Sequence, residues 1–251
     1  RQSPDPDSSL NHLERFLKTV AAKGEPFLPH GNRLPTLITV FGNSHFLAET
    51  LFRYPNLLQW TLNERRLYRV LSTKELFSEL GSFSPDTTDD EAARTLAQFK
   101  RKHLLRIVIR DLLHFGSLAE ITEELSNLSD AILQGGQDHI HQQLVQRFGS
   151  PLTRQSSSSI ESHFVVLALG KLGGQELNYS SDIDMICLFD ETRFDPDDFY
   201  EARQGMVRAT RNMCALLSDK TGDGYVFRTD LRLRPDPSVT PVAMAMEAAE
   251  R

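Results

Sequence analysis

Cysteine is scarce: Cys187 and Cys214 are the only two in 251 residues. Two thiols build neither a disulfide framework nor a Cys/His zinc cluster, and they suit a reducing compartment, so the cytoplasm is the expected location. Long apolar runs are also missing. No stretch approaches the roughly 20 residues that cross a bilayer, and residues 1–9 are too polar for the apolar part of a signal peptide, so no membrane association is expected. Positive charge is in deficit, with 28 Lys and Arg against 34 Asp and Glu and a formal net charge of -6. Such a chain has no overall field to draw nucleic acid or anionic lipid, and it lacks the basic, aromatic-rich signal of a single-strand groove. Any phosphate it binds must be held locally. Repeats of twenty to fifty residues are absent, which excludes a solenoid.

What is present is enough apolar sequence, 39%, to build one large core or two modest ones. The chain opens on Arg1 and stops at Arg251 inside an Ala/Glu-rich stretch that reads as helix, so it is expected to be a piece of a longer protein. Residues 1–150 read as a mainly helical region. Leu10, Leu13, Phe16, Leu17 and Val20 make one periodic face, Phe46, Leu47, Leu51 and Phe52 a second, and a long pattern from Asp90 through Leu113 breaks at Gly116 and Ser117 before Leu118 to Phe148. At Gly149 to Ser162, Gly-Ser-Pro and the run Ser156 to Ser159 lose all apolar periodicity, and a boundary is expected there. Residues 151–251 then carry strand-like runs at His163–Leu169, Ile183–Phe189 and Tyr225–Leu233, with a helix over Asp197–Ser218. The fold class is α+β, a helical layer followed by a small mixed sheet flanked by helices.

Chemistry concentrates in Gly170-Lys171-Leu172-Gly173-Gly174-Gln175-Glu176-Leu177-Asn178-Tyr179-Ser180-Ser181-Asp182-Ile183-Asp184. Strand alternation sends Asp182 and Asp184 to one side and Ile183 to the other. Two carboxylates so placed repel unless a cation lies between them, and a hard divalent ion with oxygen ligands suits the gap. Asp230 supplies a third, on a run that alternates Arg228, Asp230, Arg232 and Arg234. Arginines around an aspartate suit a site holding both metal and phosphate oxygens, and Arg232 and Arg234 are the candidate phosphate ligands. Gly170, Gly173 and Gly174 allow tight backbone approach to phosphate, Ser180 and Ser181 add hydroxyl donors, and Lys171 adds a point charge. Taken singly, each feature is commoner as solvated surface or ordinary turn. Their conjunction is what points to a site.

At these residues the sequence resembles the bacterial glutamine synthetase adenylyltransferase/adenylyl-removing enzymes of the polymerase-beta-like nucleotidyltransferase superfamily. The likeness extends to Tyr225–Asp236, to Pro55–Leu58 after Leu51-Phe52-Arg53-Tyr54, and to Lys100–Leu112. It implies a nucleotidyltransferase core in residues 151–251, truncated at its C-terminal end, with a magnesium or manganese cofactor held by Asp182, Asp184 and Asp230. The family has two similar halves, one attaching AMP to a tyrosine of glutamine synthetase and one removing it by phosphorolysis. Asn178–Asp184 and Val226–Asp230 resemble the removing half; the other half tends toward Gly before the Ser-Asp and Glu where Arg228 stands. The resemblance therefore implies inorganic phosphate as nucleophile, ADP as product, AMP-modified glutamine synthetase as substrate and a PII nitrogen-signalling protein as regulator. ATP-dependent adenylylation and a non-catalytic partner-binding role are the alternatives. Pro237-Ser238-Val239-Thr240-Pro241 departs from the family's Gly-containing continuation after Asp236.

Other features carry blander readings. His139 and His141 stand two apart, which sends them to different helix faces. Cys187 is expected to pack as a small hydrophobe, and Trp60 as core. Asp195, Asp197, Asp198 and Glu201 read as acids complementing a helix N-terminus.

Overall fold

The structure, a computed structural model, describes residues 4–24, 31, 33–62, 64–148, 164–194, 197 and 199–249. Gly149–Ser162, where composition sets a boundary, lie outside the described residues, as do Asp195 and Asp198. The helices run α1 Pro6–Ala22, α2 Arg33–Asn43, α3 His45–Arg53, α4 Asn56–Thr61, α5 Glu64–Leu67, α6 Thr73–Leu80, α7 Asp89–Leu112 and α8 Leu118–Phe148. Then follow β1 Phe164–Ala168, α9 Gly170–Gly173, β2 Ile183–Phe189, α10 Phe199–Ser218, β3 Thr229–Asp230, β4 Ala243–Ala245 and α11 Met246–Ala249. None of the helices is long and apolar enough to cross a membrane, among the described residues.

The chain forms two compact units, Arg1–Leu71 with Arg101–Glu124, and Ser72–Lys100 with Leu125–Arg251. In the first, α1 starts because Asp5 accepts a hydrogen bond from the Ser8 amide and Pro stands at the N-terminal turn, where its missing N–H is harmless. Its buried side centres on Ser9, Phe16 and Val20. At about 100° per residue, Leu10 and Leu17 fall to one side of that line and are exposed at 62% and 41%, which corrects the face expected from spacing. Phe16 packs with Leu37, Val40, Phe41, Leu47, Leu51, Phe52, Leu105 and Ile109. Trp60 is half-buried under two cations, with Arg66 at 4.7 Å and Lys102 at 4.3 Å from its ring. Buried beneath is a charged cluster in which Glu124 accepts from Arg106 and from the Leu71 amide.

In the second unit, β2 is the hub of a mixed sheet. It pairs antiparallel with β1 along Phe164–Ala168, and parallel with β3 and with β4. Because β1 and β4 pair with the same β2 residues, they must lie on opposite edges. Helix α10 packs against β3 and β4 through Met206, Ala209, Met213, Leu216 and Leu217. Helix α8 ties to the sheet where Gln137 Nε2 donates to the Phe164 carbonyl at 2.5 Å. His139 is buried against Asp89, 2.9 Å away, rather than paired with His141.

Two strands differ from expectation. The run Tyr225–Leu233 forms a strand only at Thr229–Asp230. Upstream, the Val226 and Phe227 amides both donate to the Leu217 carbonyl at the end of α10. Downstream, the Arg232 amide turns back onto Asp230 Oδ1 at 2.8 Å, an Asx turn that ends the ladder. Conversely, Ala243–Ala245, inside sequence that reads as helix, is a strand completed by β2.

Candidate functional site

The parallel register of β2 with β3 sets Asp184 beside Asp230 and Ile183 beside Thr229. One step earlier Asp182 meets Arg228, whose Nε donates to Oδ1 at 2.5 Å while Nη2 donates to the Ser180 carbonyl at 2.9 Å. Alternation puts these four charged residues on one face and leaves Ile183 and Met185, both fully buried, on the other. Ser218 holds β3 in place by donating to the Phe227 carbonyl at 3.0 Å, with Thr229 Oγ1 at the same distance.

The glycine turn is shaped by close approach. Gly170 has φ +54°, in the left-handed region, and a Cβ there would stand 2.6 Å from Asp184 Oδ2. A Cβ on Gly173 would stand 2.6 Å from the Ala168 carbonyl, so the turn can sit on β1 only without a side chain. Leu172 and Leu177 are buried and anchor it, and the Leu177 amide donates to Ser126 Oγ at 3.1 Å. Asn178 Oδ1 accepts from the Ser180 amide at 3.2 Å and from the Ser181 hydroxyl at 2.8 Å, so the Ser181 hydroxyl shapes the turn into β2. Lys171, Gly174 and Ser180 are exposed.

The two candidate phosphate arginines stand differently. Arg232 forms a fork on Asp230, with Nε 3.0 Å from Oδ1 and 2.9 Å from Oδ2, and Nη2 2.5 Å from Oδ2. These hydrogen bonds hold the Asp230 carboxyl below its ordinary value. Arg234 donates to the carbonyls of Leu231 at 2.6 Å, Pro237 at 2.9 Å and Thr240 at 3.3 Å. It shapes the loop that contains Pro237–Pro241.

Among the described residues, no three His, Cys, Asp or Glu side chains are gathered into a ready cage for a metal ion. Two of the three carboxylates are instead turned onto guanidinium groups, Asp182 onto Arg228 and Asp230 onto Arg232. The donor set nevertheless fits a hard divalent cation. It offers carboxylate oxygens on adjacent strands and a space beside Asp184 Oδ2 that a Cβ at Gly170 would fill.

Lys100 belongs to this neighbourhood although its sequence position in α7 gives no sign of it. Its Nζ donates to the Val226 carbonyl and lies 4.2 Å from the centre of the Phe227 ring and 5.6 Å from that of Tyr225. Lys100 thus supports the segment that delivers Arg228 and Asp230. Burial, helped by the Arg228 charge, pushes its ammonium from 10.5 down to about 8. Below pH 8 the folded protein bears the full cost of burying that charge. As pH rises from about 8 to about 10.5 the unfolded chain holds more protons than the folded one, so stability rises. The full swing is about 3 kcal/mol. The unfolding free energy of the wild type should therefore gain on that of Lys100→Met as pH is raised from 7 to 10.5. A gap that stays constant across that range would contradict this placement.

Comparison with known proteins bears on this geometry. The family model described as glutamate-ammonia ligase adenylyltransferase, GlnE, matches residues 34–251. The chain is 34% identical over 247 residues to the bifunctional glutamine synthetase adenylyltransferase/adenylyl-removing enzyme of Nitrosococcus oceani, covering 96% of this chain and 25% of that protein. It is 33% identical over 246 residues to the same enzyme of Shewanella loihica, covering 95% and 25%. With that of Agrobacterium fabrum it shares 38% identity over 161 residues, covering 64% and 16%. The chain spans about a quarter of the first two relatives' length.

Proposed function

Because the chain belongs to the glutamate-ammonia ligase adenylyltransferase family, we propose that its carboxylate face removes AMP from a modified tyrosine of glutamine synthetase by phosphorolysis, releasing ADP. The observation that carries this reading is the placement of Asp182, Asp184 and Asp230 on one face of two paired strands, flanked by Arg228 and Arg232. The direction is supported by Arg228, since the adenylylating half of the resembling enzymes tends toward Glu there. In this chain Arg228 is built into the site, fixing Asp182 and the Ser180 carbonyl together.

Asp182, Asp184 and Asp230 would hold magnesium or manganese, which when bound neutralises charge on the attacking and leaving oxygens. The chain's own groups do the rest. Arg232, exposed at its guanidinium, meets inorganic phosphate. The Gly173 and Gly174 amides, expected from sequence to meet phosphate, instead close the α9 turn onto the Leu169 and Gly170 carbonyls, so the nucleotide phosphate falls to the Gly170 backbone, the Ser180 hydroxyl and the Lys171 ammonium, while Ser181 keeps the turn in shape. An oxygen of hydrogen phosphate forms a bond to the AMP phosphorus, the bond from phosphorus to the tyrosyl oxygen breaks, and the proton released by the attacking phosphate balances the one the tyrosyl oxygen takes up. Arg234 maintains the loop beyond Asp230.

Gly170→Ala tests the cradle. Its Cβ would displace the far end of a flexible side chain, Asp184 Oδ2, and the left-handed φ adds roughly 1–2 kcal/mol of strain. The protein should fold with a modest loss of stability, while magnesium affinity measured by calorimetry should fall by about tenfold or more. Unchanged affinity would remove Gly170 from the site.

The direction of reaction is tested by following the nucleotide. Incubating the protein with AMP-modified glutamine synthetase, magnesium and phosphate should yield ADP. Incorporation of label from α-labelled ATP into unmodified glutamine synthetase, without ADP formation in the first assay, would reverse the assignment.

A further inference from the structure

The three-carboxylate face has a counter-ion of its own. Arg232 reaches back two residues so that its backbone amide and guanidinium together contact both oxygens of Asp230. The carboxylate is largely covered, with 15% of its side chain exposed, while the guanidinium that covers it is 83% exposed. The field on that guanidinium comes first from Asp230, and Asp182 and Asp184 add to it. Arg232 therefore stands between Asp230 and solvent.

A guanidinium stays charged throughout the accessible pH range, so it cannot leave this position by losing a proton. It leaves by competition. A divalent cation approaching Asp230 is repelled by it and must displace it. An oxyanion approaching from solvent offers the same fork a second partner of matching bidentate geometry. Because the guanidinium is exposed, an oxyanion reaches it directly from solvent, whereas the carboxylate beneath it is reached only once the guanidinium has moved. Arg228 is placed differently, since its second contact is to the Ser180 carbonyl and fixes it to the turn.

We propose that Arg232 is a counter-ion latch: in the free site its guanidinium holds the cation's place on Asp230, and an arriving phosphate draws it away, so that anion and divalent cation load cooperatively. This rests on the reading of Asp182, Asp184 and Asp230 as metal ligands. It adds an order to that site, in which magnesium without phosphate binds poorly because it must first expel an arginine. By linkage, whatever factor phosphate adds to magnesium affinity, magnesium adds to phosphate affinity.

The test is calorimetric titration of magnesium into the wild type, Arg232→Gln, Arg232→Lys and Asp184→Asn, each with and without inorganic phosphate in both cell and syringe. The latch predicts that phosphate tightens magnesium binding to the wild type by about fivefold or more. It predicts that Arg232→Gln binds magnesium alone more tightly than the wild type and loses the phosphate effect. Arg232→Lys, which keeps the charge without the fork, should fall between. If Asp184→Asn binds magnesium weakly but Arg232→Gln is no tighter than the wild type, or keeps its phosphate effect, the latch is overturned and the metal site stands. If Asp184→Asn binds magnesium as the wild type does, the metal reading fails and the latch with it.

Discussion

Asp184→Asn should lower phosphorolytic release of AMP by on the order of a thousandfold while leaving the melting temperature unchanged or slightly raised. The substitution keeps the shape of the side chain beside Gly170 and removes one negative charge. In the proposed reaction that charge is one of the three that hold the cation against the transferring phosphorus, so its loss falls on the transition state. In the resting protein the effect has the opposite sign. Asp184 is the register neighbour of Asp230 and shares a face with Asp182, so neutralising it relieves like-charge repulsion. A solvated surface aspartate would alter neither quantity, and a residue needed only for folding would lower both. Activity within a few fold of the wild type would contradict the assignment of Asp184.

Glu124→Ala should cost about 3–5 kcal/mol of stability, the largest stability loss expected of the substitutions considered. Glu124, Arg106 and Arg110 are all essentially inaccessible to solvent. Oε1 accepts from Arg106 and from the Leu71 amide at 2.8 Å, and Oε2 stands 3.2 Å from Arg110 Nη1, close enough for an ion pair although not aligned as a hydrogen bond. Arg106 also donates to the Arg66 carbonyl at 2.9 Å, so the cluster ties α7, α8 and the chain near α5 together within the first unit. Removing Glu124 takes its carboxylate away from two buried guanidinium groups and from the Leu71 amide. Chemical denaturation measures the effect. A loss below about 1 kcal/mol, the range of a surface pair, would mean that water reaches the cluster and compensates it.

The fold class and the strand alternation around the carboxylates are legible in the sequence. Alternation alone placed Asp182 and Asp184 on one side of a strand with Ile183 buried behind, and β2 occupies Ile183–Phe189 as the apolar run suggested. Helices α7 and α8 are legible from their length and from the break at Gly116 and Ser117 between them. The rest depends on partners distant in sequence. The Tyr225–Leu233 run alternates, yet the end of α10 takes its first amides and an Asx turn takes its last. The β4 strand is three residues of Ala and Met, with little strand propensity, and exists because β2 offers an edge. Lys100 looks like one cation in a basic helix until its ammonium is seen against Phe227 and the Val226 carbonyl. Arg232 and Arg234 were equivalent by spacing, and only the turn after Asp230 separates a guanidinium facing carboxylates from one facing its own loop.

The most direct measurement of the central claim is the fate of labelled phosphate. With AMP-modified glutamine synthetase, magnesium and 32P-labelled inorganic phosphate, the wild-type protein should produce ADP labelled in its β-phosphate, and Asp184→Asn should produce none above background. Release of AMP without label, or equal labelling by the wild type and Asp184→Asn, would contradict phosphorolysis at the Asp182, Asp184 and Asp230 face.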